Sequence, residues 1–258
     1  MFLSNKHMLE VFFTQLRLNL KSETRKTYLN YLWWILEPAL FTLVFYLVFA
    51  VFLNRGTEGF LLFLLCGKIP FLWFSKSVTN SSNAIFAGKG LIHQIAIPKA
   101  YFPLMVVAQD FVKQVFVFIF LLLFLIYMGA NPSTIWIYFI LILFVQLTLV
   151  IACSLVSAAI TPFIPDFKFL ISTAMMMLMF CSGIFYSYEE VLLDKHQNLF
   201  LLNPVANLIK NYRQVLLENQ PPDFTALSYM FLGSVFVIII MKYWYKKTES
   251  TYARLVIQ

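Results

Sequence analysis

Apolar residues run in long stretches along most of this chain, separated by short polar connections. Six of these stretches have close to the roughly 20 residues that a helix needs to cross the hydrocarbon core of a bilayer. They cover residues 33–53, 60–80, 103–128, 135–160, 169–187 and 227–245. The pattern predicts an all-α membrane protein with six transmembrane helices in a single domain, residues 1–258. Spans one to five would occupy residues 33–187.

The segment before the first stretch, residues 1–30, is amphipathic. Its apolar residues recur at helical spacing, and its polar residues fall on the opposite face of the same helix. The apolar set is Leu9, Phe12, Phe13, Leu16 and Leu20, and the polar set is Glu10, Thr14, Arg17 and Lys21. The pattern predicts an interface helix in the headgroup region. An amphipathic helix that contacts other protein has the same pattern, and both interpretations can hold.

The segment between the fifth and sixth stretches, residues 189–222, is too long for a simple turn and too apolar for a disordered linker. Its apolar residues indicate two short helices that are broken at Asn203-Pro204. Helices of this length cannot cross a bilayer. We therefore predict a re-entrant or interfacial helical hairpin on the outer side of the membrane.

The distribution of basic residues gives the orientation. Twelve Lys and Arg residues lie on one side of the predicted spans and four on the other. The first side holds Lys6, Arg17, Lys21, Arg25, Lys26, Lys89, Lys99, Lys168, Lys242, Lys246, Lys247 and Arg254. The other holds Arg55, Lys195, Lys210 and Arg213. Because basic residues accumulate on the cytoplasmic side, both termini should be cytoplasmic, including the tail at 246–258.

Composition supports a membrane protein and argues against an enzyme. Hydrophobic residues make up 61% of the 258 residues and charged residues 12%, against about 45–50% and about 25% in soluble domains. The net charge of +7 arises beside the spans, so it does not indicate nucleic-acid binding. The sequence holds no phosphate-binding loop or catalytic motif. Cys66, Cys153 and Cys181 lack metal-ligand spacing, so we expect no cofactor or metal on this chain.

Charged residues inside the predicted spans need a reason, because an ionisable group at mid-bilayer costs roughly 2.5–3.5 kcal/mol on insertion scales. Lys76 and Lys113 lie near span ends, so we expect their side chains to reach the headgroups. Lys68 is deeper, beside Pro70, and packing and a polar cavity are equally open explanations. Glu37 should face the protein interior.

Aromatic residues form 18% of the chain. Those at span ends fit an aromatic belt, and those within spans could pack in the core or line a path along which sugar faces slide. The candidate channel-lining set is Trp33, Trp34, Tyr46, Phe71, Trp73 and Phe74.

Several short motifs, in order along the chain, resemble the permease subunits of ABC exporters that carry bacterial surface polysaccharides. Residues 31–38 are similar to the first-span motif of that family, and residues 91–99 to its loop between spans two and three. Asp166-Phe167-Lys168 and then residues 181–186 resemble its fifth-span signature. Residues 203–213 resemble its outer hairpin. Asn30-Tyr31 departs from the Leu-Gly that is frequent there, which leaves the local turn open.

The resemblance implies a homodimer in the bacterial cytoplasmic (inner) membrane, with two copies of a separate ATPase subunit that bind ATP and Mg. Its passenger would be a lipid-linked glycan such as O-antigen, capsule or teichoic acid. The residues implied at the ATPase contact are Arg17, Lys21, Lys89, His93, Asp166 and Lys168. Those implied at the outer gate are Asn203, Pro204, Tyr212 and Arg213. Arg213 could pair with Glu189, Glu190 or a phosphate, and a structural ion pair is the favoured role.

Two other functions stay open from the sequence. An ABC permease could carry a smaller passenger, such as a drug, a lipid or haem, although an aromatic-rich channel argues against one. A membrane-embedded enzyme or an assembly scaffold would not transport at all. That class lacks any catalytic constellation in this sequence.

Overall fold

The computed structural model describes residues 5–25, 32–52, 59–94, 97–191 and 193–257, and every regular element in these ranges is helical. The prediction of an all-α protein is therefore confirmed for this part of the chain. The elements are α1 Asn5–Arg25, α2 Leu32–Tyr46 with a π-helical continuation Leu47–Phe52, α3 Phe60–Ser82, α4 Ala84–Ala87, α5 Lys89–Gln94, α6 Tyr101–Tyr127, a 3-10 turn Thr134–Ile137, α7 Tyr138–Ile160, α8 Phe167–Phe180, α9 Tyr188–Val191, α10 Asp194–Phe200, α11 Pro204–Leu216 and α12 Phe224–Ile257.

Within the described residues, four helical segments are long and apolar enough to cross a membrane. They are Phe60–Ser82, Tyr101–Tyr127, Thr134–Ile160 and Phe224–Tyr252. Each coincides with one of the six predicted stretches. In the first predicted span, 33–53, the described residues end at Phe52 and form α2 and its π-helical continuation. The number of six spans stays a prediction.

The fifth predicted span, 169–187, is a shorter helix than expected. Helix α8 has 14 residues and ends at Phe180, which at 1.5 Å per residue is about 21 Å. The chain then turns through Gly183, whose φ is +66°, a left-handed conformation that glycine adopts readily. The sequence is apolar past Phe180, so the apolar pattern alone overestimated the length of this helix.

The core has two parts. The larger part surrounds α3 and includes Leu64, Trp73, Phe118, Ile142 and Tyr212, so it joins α3 to α6, α7 and α11. The smaller part lies at the other end of α3 and α7. It contains Ile85, Ile97, Tyr101, Ala158 and Tyr252. Helix α3 is therefore the central element of the protein.

Helix α12 continues well beyond the predicted sixth span at 227–245. It has 34 residues, about 51 Å, whereas the hydrocarbon core is about 30 Å thick. The hydroxyl of Tyr245 donates to the carbonyl of Leu155 at 2.9 Å, and that of Tyr252 to the carbonyl of Ala159 at 3.0 Å. The described part of the predicted tail is thus a helix held against the end of α7.

Helix α1 runs alongside α6. The ring of Phe12 meets that of Tyr101 edge-on at 5.4 Å, and Glu23 contacts Lys113 at 2.8 Å. These two contacts are eleven residues apart on α1 and twelve apart on α6, so the two helices point in the same direction. Leu9 and Phe13 are exposed. The apolar face of α1 is therefore only partly covered by this chain, and its location in the headgroup region stays a prediction.

Candidate functional site

The junction between α10 and α11 fixes the helical segment that the sequence marks as an outer hairpin. Asn203 precedes the first residue of α11, Pro204, and its Oδ1 accepts a hydrogen bond from the backbone N–H of Val205 at 3.0 Å. Its Nδ2 donates to the carbonyl of Cys181 at 3.2 Å and to Ser182 Oγ at 3.0 Å. The helix break at Asn203-Pro204 is confirmed, and the same side chain ties α11 to the end of α8.

Arg213 is buried where α11 meets α3 and the turn after α8. Its guanidinium donates to the carbonyl of Gly183 at 2.8 Å, to that of Ile184 at 3.0 Å and to that of Phe63 at 3.3 Å. It also lies over the ring of Phe63, 3.3 Å from the centroid. One side chain therefore joins three separate parts of the chain.

The turn after α8 presents the carbonyl groups that bind the guanidinium of Arg213. A helix end leaves its last carbonyls without intrahelical partners, and the left-handed Gly183 turns the following carbonyls toward α11. Gly67 makes room for the guanidinium, because a Cβ on that residue would lie 2.8 Å from Arg213 Nη2. Sequence reasoning missed Gly67, although a glycine inside an apolar helix is a signal of close approach.

The partner expected for Arg213 is different in the structure. Among the described side chains, no carboxylate lies within ion-pair distance of it, and carbonyl oxygens take that place. The side chain of Glu190 lies outside the described residues. Burial, and then the nearby Glu189 carboxylate, raise the pKa of Glu218. The described partners of Arg213 are thus backbone carbonyls, and a pairing with Glu190 or with a phosphate stays a prediction.

Tyr212, the neighbour of Arg213, connects α11 to α7 and α3. Its hydroxyl donates to Gln146 Oε1 at 2.7 Å, and Gln146 Nε2 donates to the carbonyl of Pro70 at 2.8 Å. The ring of Tyr212 stacks on Phe118 at 6.0 Å. The network reaches the point at which proline interrupts the hydrogen bonding of α3. Gln146 was not among the sequence candidates, although a polar side chain inside an apolar stretch is a signal.

Charged side chains meet between α1, α3 and α6. Lys113 on α6 pairs with Glu23 on α1 at 2.8 Å and with Asp110 at 3.4 Å. The carboxylate of Asp110 also accepts hydrogen bonds from Ser77 at 3.2 Å and from Asn80 at 3.3 Å, both on α3. Lys113 therefore contacts carboxylates of the protein, whereas the sequence suggested that it reaches the headgroups.

Lys76 on α3 likewise forms an ion pair with a carboxylate of another helix. It pairs with Glu37 of α2 at 2.6 Å, and both side chains are partly exposed. Glu37, which the sequence predicted to face the protein interior, contacts α3 but stays partly exposed, and Lys76 is engaged by this carboxylate of α2. The two clusters together join α1, α2, α3 and α6 through charged groups.

Lys68 is buried at the contact between α3 and α8. Its ammonium donates to Met179 Sδ at 2.7 Å and lies 5.9 Å and 5.8 Å from the ring centroids of Phe71 and Phe185. These contacts are with polarisable and aromatic groups, which favour a cation. Lys68 thereby links the central helix to α8.

The six aromatic residues proposed for the channel divide into two groups. Phe71, Trp73 and Phe74 are buried inside this chain. Trp33 is exposed and Trp34 is half-buried against Phe116, with 5.9 Å between ring centroids. The structure does not bring the two groups together as one surface. Channel lining stays a prediction for all of them, as it does for the half-buried Tyr46.

The residues implied at the ATPase contact lie on three elements. Arg17 and Lys21 are exposed on α1, and Lys89 is exposed on α5. Asp166 and Lys168 are exposed around the start of α8. The side chain of His93 lies outside the described residues. Contact with an ATPase stays a prediction, and exposure is what such a contact requires.

This structure defines a class of protein: a helical membrane protein whose central helix is joined by buried polar contacts to a short helical segment, α9–α11, between α8 and α12. The family model of the ABC-2 type transporters matches residues 10–217, and the chain belongs to that family.

Named relatives are similar over most of their length. An O-antigen export system permease protein of Myxococcus xanthus is 28% identical over 224 residues, covering 86% of this chain and 85% of the relative. An O-antigen export system permease protein of Klebsiella pneumoniae is 23% identical, with 92% and 91% covered. A polysialic acid transport protein of Escherichia coli is 24% identical, with 86% and 87% covered.

Proposed function

We propose that this chain is the permease subunit of an ATP-driven exporter that moves a surface polysaccharide across the cytoplasmic membrane. The observation that carries the proposal is the ABC-2 match over residues 10–217, together with relatives named for O-antigen export and polysialic acid transport. Those relatives match this chain over most of both lengths. A lipid-linked glycan is the passenger that we propose, with O-antigen or a related polymer first.

ATP would be bound and hydrolysed by a separate subunit. The sequence has no phosphate-binding loop, so this chain requires a partner that holds ATP and Mg. We propose a homodimer of permeases with two copies of that ATPase. Exposed Arg17, Lys21, Lys89, Asp166 and Lys168, together with His93, would form its contact.

The proposed topology has six spans and cytoplasmic termini. Helix α2 with its π-helical continuation, and α8 together with the chain that follows it up to residue 187, would supply the two spans beyond the four long apolar helices. The excess of basic residues on one side supports this orientation. In it, α9–α11 lie on the outer side, where we place the gate.

The gate would move as a unit with the spans beneath it. Arg213 and Asn203 bind α11 to the turn after α8, and Tyr212 binds it to α7 and α3. Rocking of the permease halves on ATP binding would therefore shift α11 together with α8. Trp33, Trp34 and Tyr46, the least buried of the aromatic candidates, would line the path, whereas Phe71, Trp73 and Phe74 are buried inside the chain. Stacking of sugar faces on aromatic rings tolerates different sugars along the glycan.

Deletion of the gene, with complementation in trans, tests the proposal. We expect loss of surface glycan, accumulation of lipid-linked glycan inside the cell, and copurification of an ATPase with the tagged permease. Unchanged surface glycan would contradict the polysaccharide assignment. A drug, lipid or haem that accumulates instead would support the smaller passenger, and a vesicle assay without ATP-dependent transfer would favour a non-transport role.

A further inference from the structure

A small polar pocket of about 50 Å3 lies between α11 and the turn that follows α8. Tyr188 and Glu189 at the start of α9 border it, together with Phe200 of α10 and Phe63 of α3. One water molecule requires roughly 10–15 Å3 of such space. The pocket therefore has room for a group of a few heavy atoms, and a larger ligand would enter it only in part.

One face of α11 supplies a row of polar groups to the pocket. Ala206, Lys210 and Gln214 line it and are spaced by four residues, so they lie along one side of the helix. Glu218 also lines it and continues this spacing just past the last helical residue, Leu216. The row therefore presents an ammonium, an amide and a carboxylate in order along the chain.

These three side chains have hydrogen-bonding capacity that the rest of the described chain does not use. The Oε1 atom of Gln214 is buried and accepts no hydrogen bond from any described residue. The charges of Lys210 and Glu218 interact electrostatically, but among the described side chains neither takes part in an ion pair within 4.0 Å. A ligand that donates to Gln214 and bridges the two charges would satisfy all three. A hydroxyl group both donates and accepts hydrogen bonds.

The charge of the pocket and its aromatic rings narrow the class of ligand. Two carboxylates, Glu189 and Glu218, and two cations, Lys210 and Arg213, line it, so their formal charges cancel. This balance favours a neutral ligand over a phosphate or a metal ion. The rings of Tyr188 and Phe200 stack at 5.5 Å beside these groups, and such apolar faces complement the C–H face of a sugar ring.

We propose that this pocket binds the hydroxyl-bearing edge of one neutral sugar unit of the passenger, at Lys210, Gln214 and Glu218. Sugar hydroxyls would donate to Gln214 Oε1 and to the Glu218 carboxylate, and would accept from the Lys210 ammonium. The rest of the ring would lie in the mouth, where Glu189 and Glu218 are exposed. Because only an edge enters, each contact is weak and a moving polymer can leave it. The site takes its ligand class from the proposed function, and its test measures binding without transport.

Saturation-transfer difference NMR on the full chain in nanodiscs tests the site, because the method detects weak binding of small sugars. The probes are the methyl glycosides of glucose, galactose, mannose and N-acetylglucosamine. N-acetylneuraminic acid serves as the charged comparison, and empty nanodiscs serve as the blank. We expect saturation transfer to at least one neutral glycoside and weaker transfer to the charged sugar.

Matched pairs of variants locate the binding. Gln214→Leu removes the buried acceptor and should weaken binding of that glycoside about tenfold. Gln220→Leu makes the same change at an exposed glutamine outside the pocket, so binding should not change. Lys210→Gln should also weaken binding, whereas Lys195→Gln, at an exposed lysine of α10 outside the pocket, should not. The second pair keeps the test decisive even if Gln214→Leu folds poorly.

Absence of saturation transfer to every neutral glycoside would overturn the proposal, and so would binding that both pocket variants leave unchanged. Stronger transfer to the charged sugar would overturn the assignment to a neutral unit. The proposed function would survive each of these results if the wild-type gene still restores surface glycan to the deletion strain. Failure of that complementation would instead contradict the proposed function itself.

Discussion

Burial of a guanidinium is costly unless its donors are satisfied, and Arg213 meets that condition with three carbonyls and the face of Phe63. The sequence identified Arg213 as a candidate, but it did not identify the groups that Arg213 binds. They are backbone groups about 30 and 150 residues away. No side-chain pattern marks a carbonyl, which is why the sequence suggested a carboxylate.

Gly67→Ala should therefore destabilise the protein. The added Cβ would lie 2.8 Å from Arg213 Nη2, so the guanidinium must move from its carbonyls, at a cost of about 1–3 kcal/mol typical of overpacking. Thermal unfolding in detergent measures the change. Gly90→Ala is the control, because a Cβ there meets no atom within 4 Å. Equal stability of the two variants would contradict this account of the arginine site.

Tyr212→Phe should cost about 1–3 kcal/mol, because the buried oxygen of Gln146 loses its donor. Chemical unfolding of the purified protein gives the value. Tyr229→Phe, at a tyrosine that is 78% exposed, should change stability little. The hydrogen bond would be unimportant if both variants behaved alike.

Asp223 gives a pH dependence with a definite sign. The hydrogen bond from Thr225, and then that from the N–H of Ala226, hold the pKa of Asp223 below its usual value of 3.8. The stability that ionised Asp223 contributes is therefore present above pH 3.8 and is lost as the pH falls through the lowered pKa. We expect Asp223→Ala to cost about 0.5–2 kcal/mol at pH 7 and less near pH 3. Paired unfolding curves at both pH values measure this. A cost that grows on acidification would contradict it.

At the scale of elements, apolar length predicted the four long helices well, because hydrocarbon requires long apolar segments with internal hydrogen bonds. Apolar length predicted the wrong helix end where other contacts determine where the helix stops. Helix α8 stops at Phe180, before a turn whose carbonyls bind Arg213. Helix α12 continues past its apolar part, and Tyr252 fastens it to α7.

The attachment of α1 to α6 should depend more on Lys113 than on Glu23. Glu23→Gln removes a partly exposed partner and should cost less than about 1 kcal/mol. Lys113→Met also leaves the nearly buried Asp110 without its cation, so it should cost several times more. Limited proteolysis within α1, together with unfolding curves, compares them. The reverse order would show that the contact with α1 dominates.

For the whole molecule, the orientation follows from charge counts and not from packing, because the contacts among helices are the same whichever way the protein is inserted. The subunit partners likewise leave little trace in one chain. Exposed lysines are compatible with an ATPase contact, and they are equally compatible with headgroups. The family match implies an ATPase partner, and the orientation stays a prediction.

Cysteine labelling of intact cells tests the orientation. We replace Cys66, Cys153 and Cys181 by Ser, then introduce Lys195→Cys or Arg254→Cys at exposed sites. A membrane-impermeant maleimide should label the cysteine at 195 from outside, and the cysteine at 254 only after the cells are opened. Labelling of 254 from outside would reverse the proposed orientation.

The length of α12 means that a small tilt of this helix moves its two ends far apart from their present alignment. It is one unbroken helix of 34 residues that begins beside α11, and near its C-terminal end Tyr252 packs on α7. At about 51 Å, a rigid tilt of about five degrees displaces one end by about 4 Å relative to the other. A tilt about the C-terminal end, where Tyr252 is hydrogen-bonded to α7, would therefore move the α11 end of the helix by about the length of a side chain.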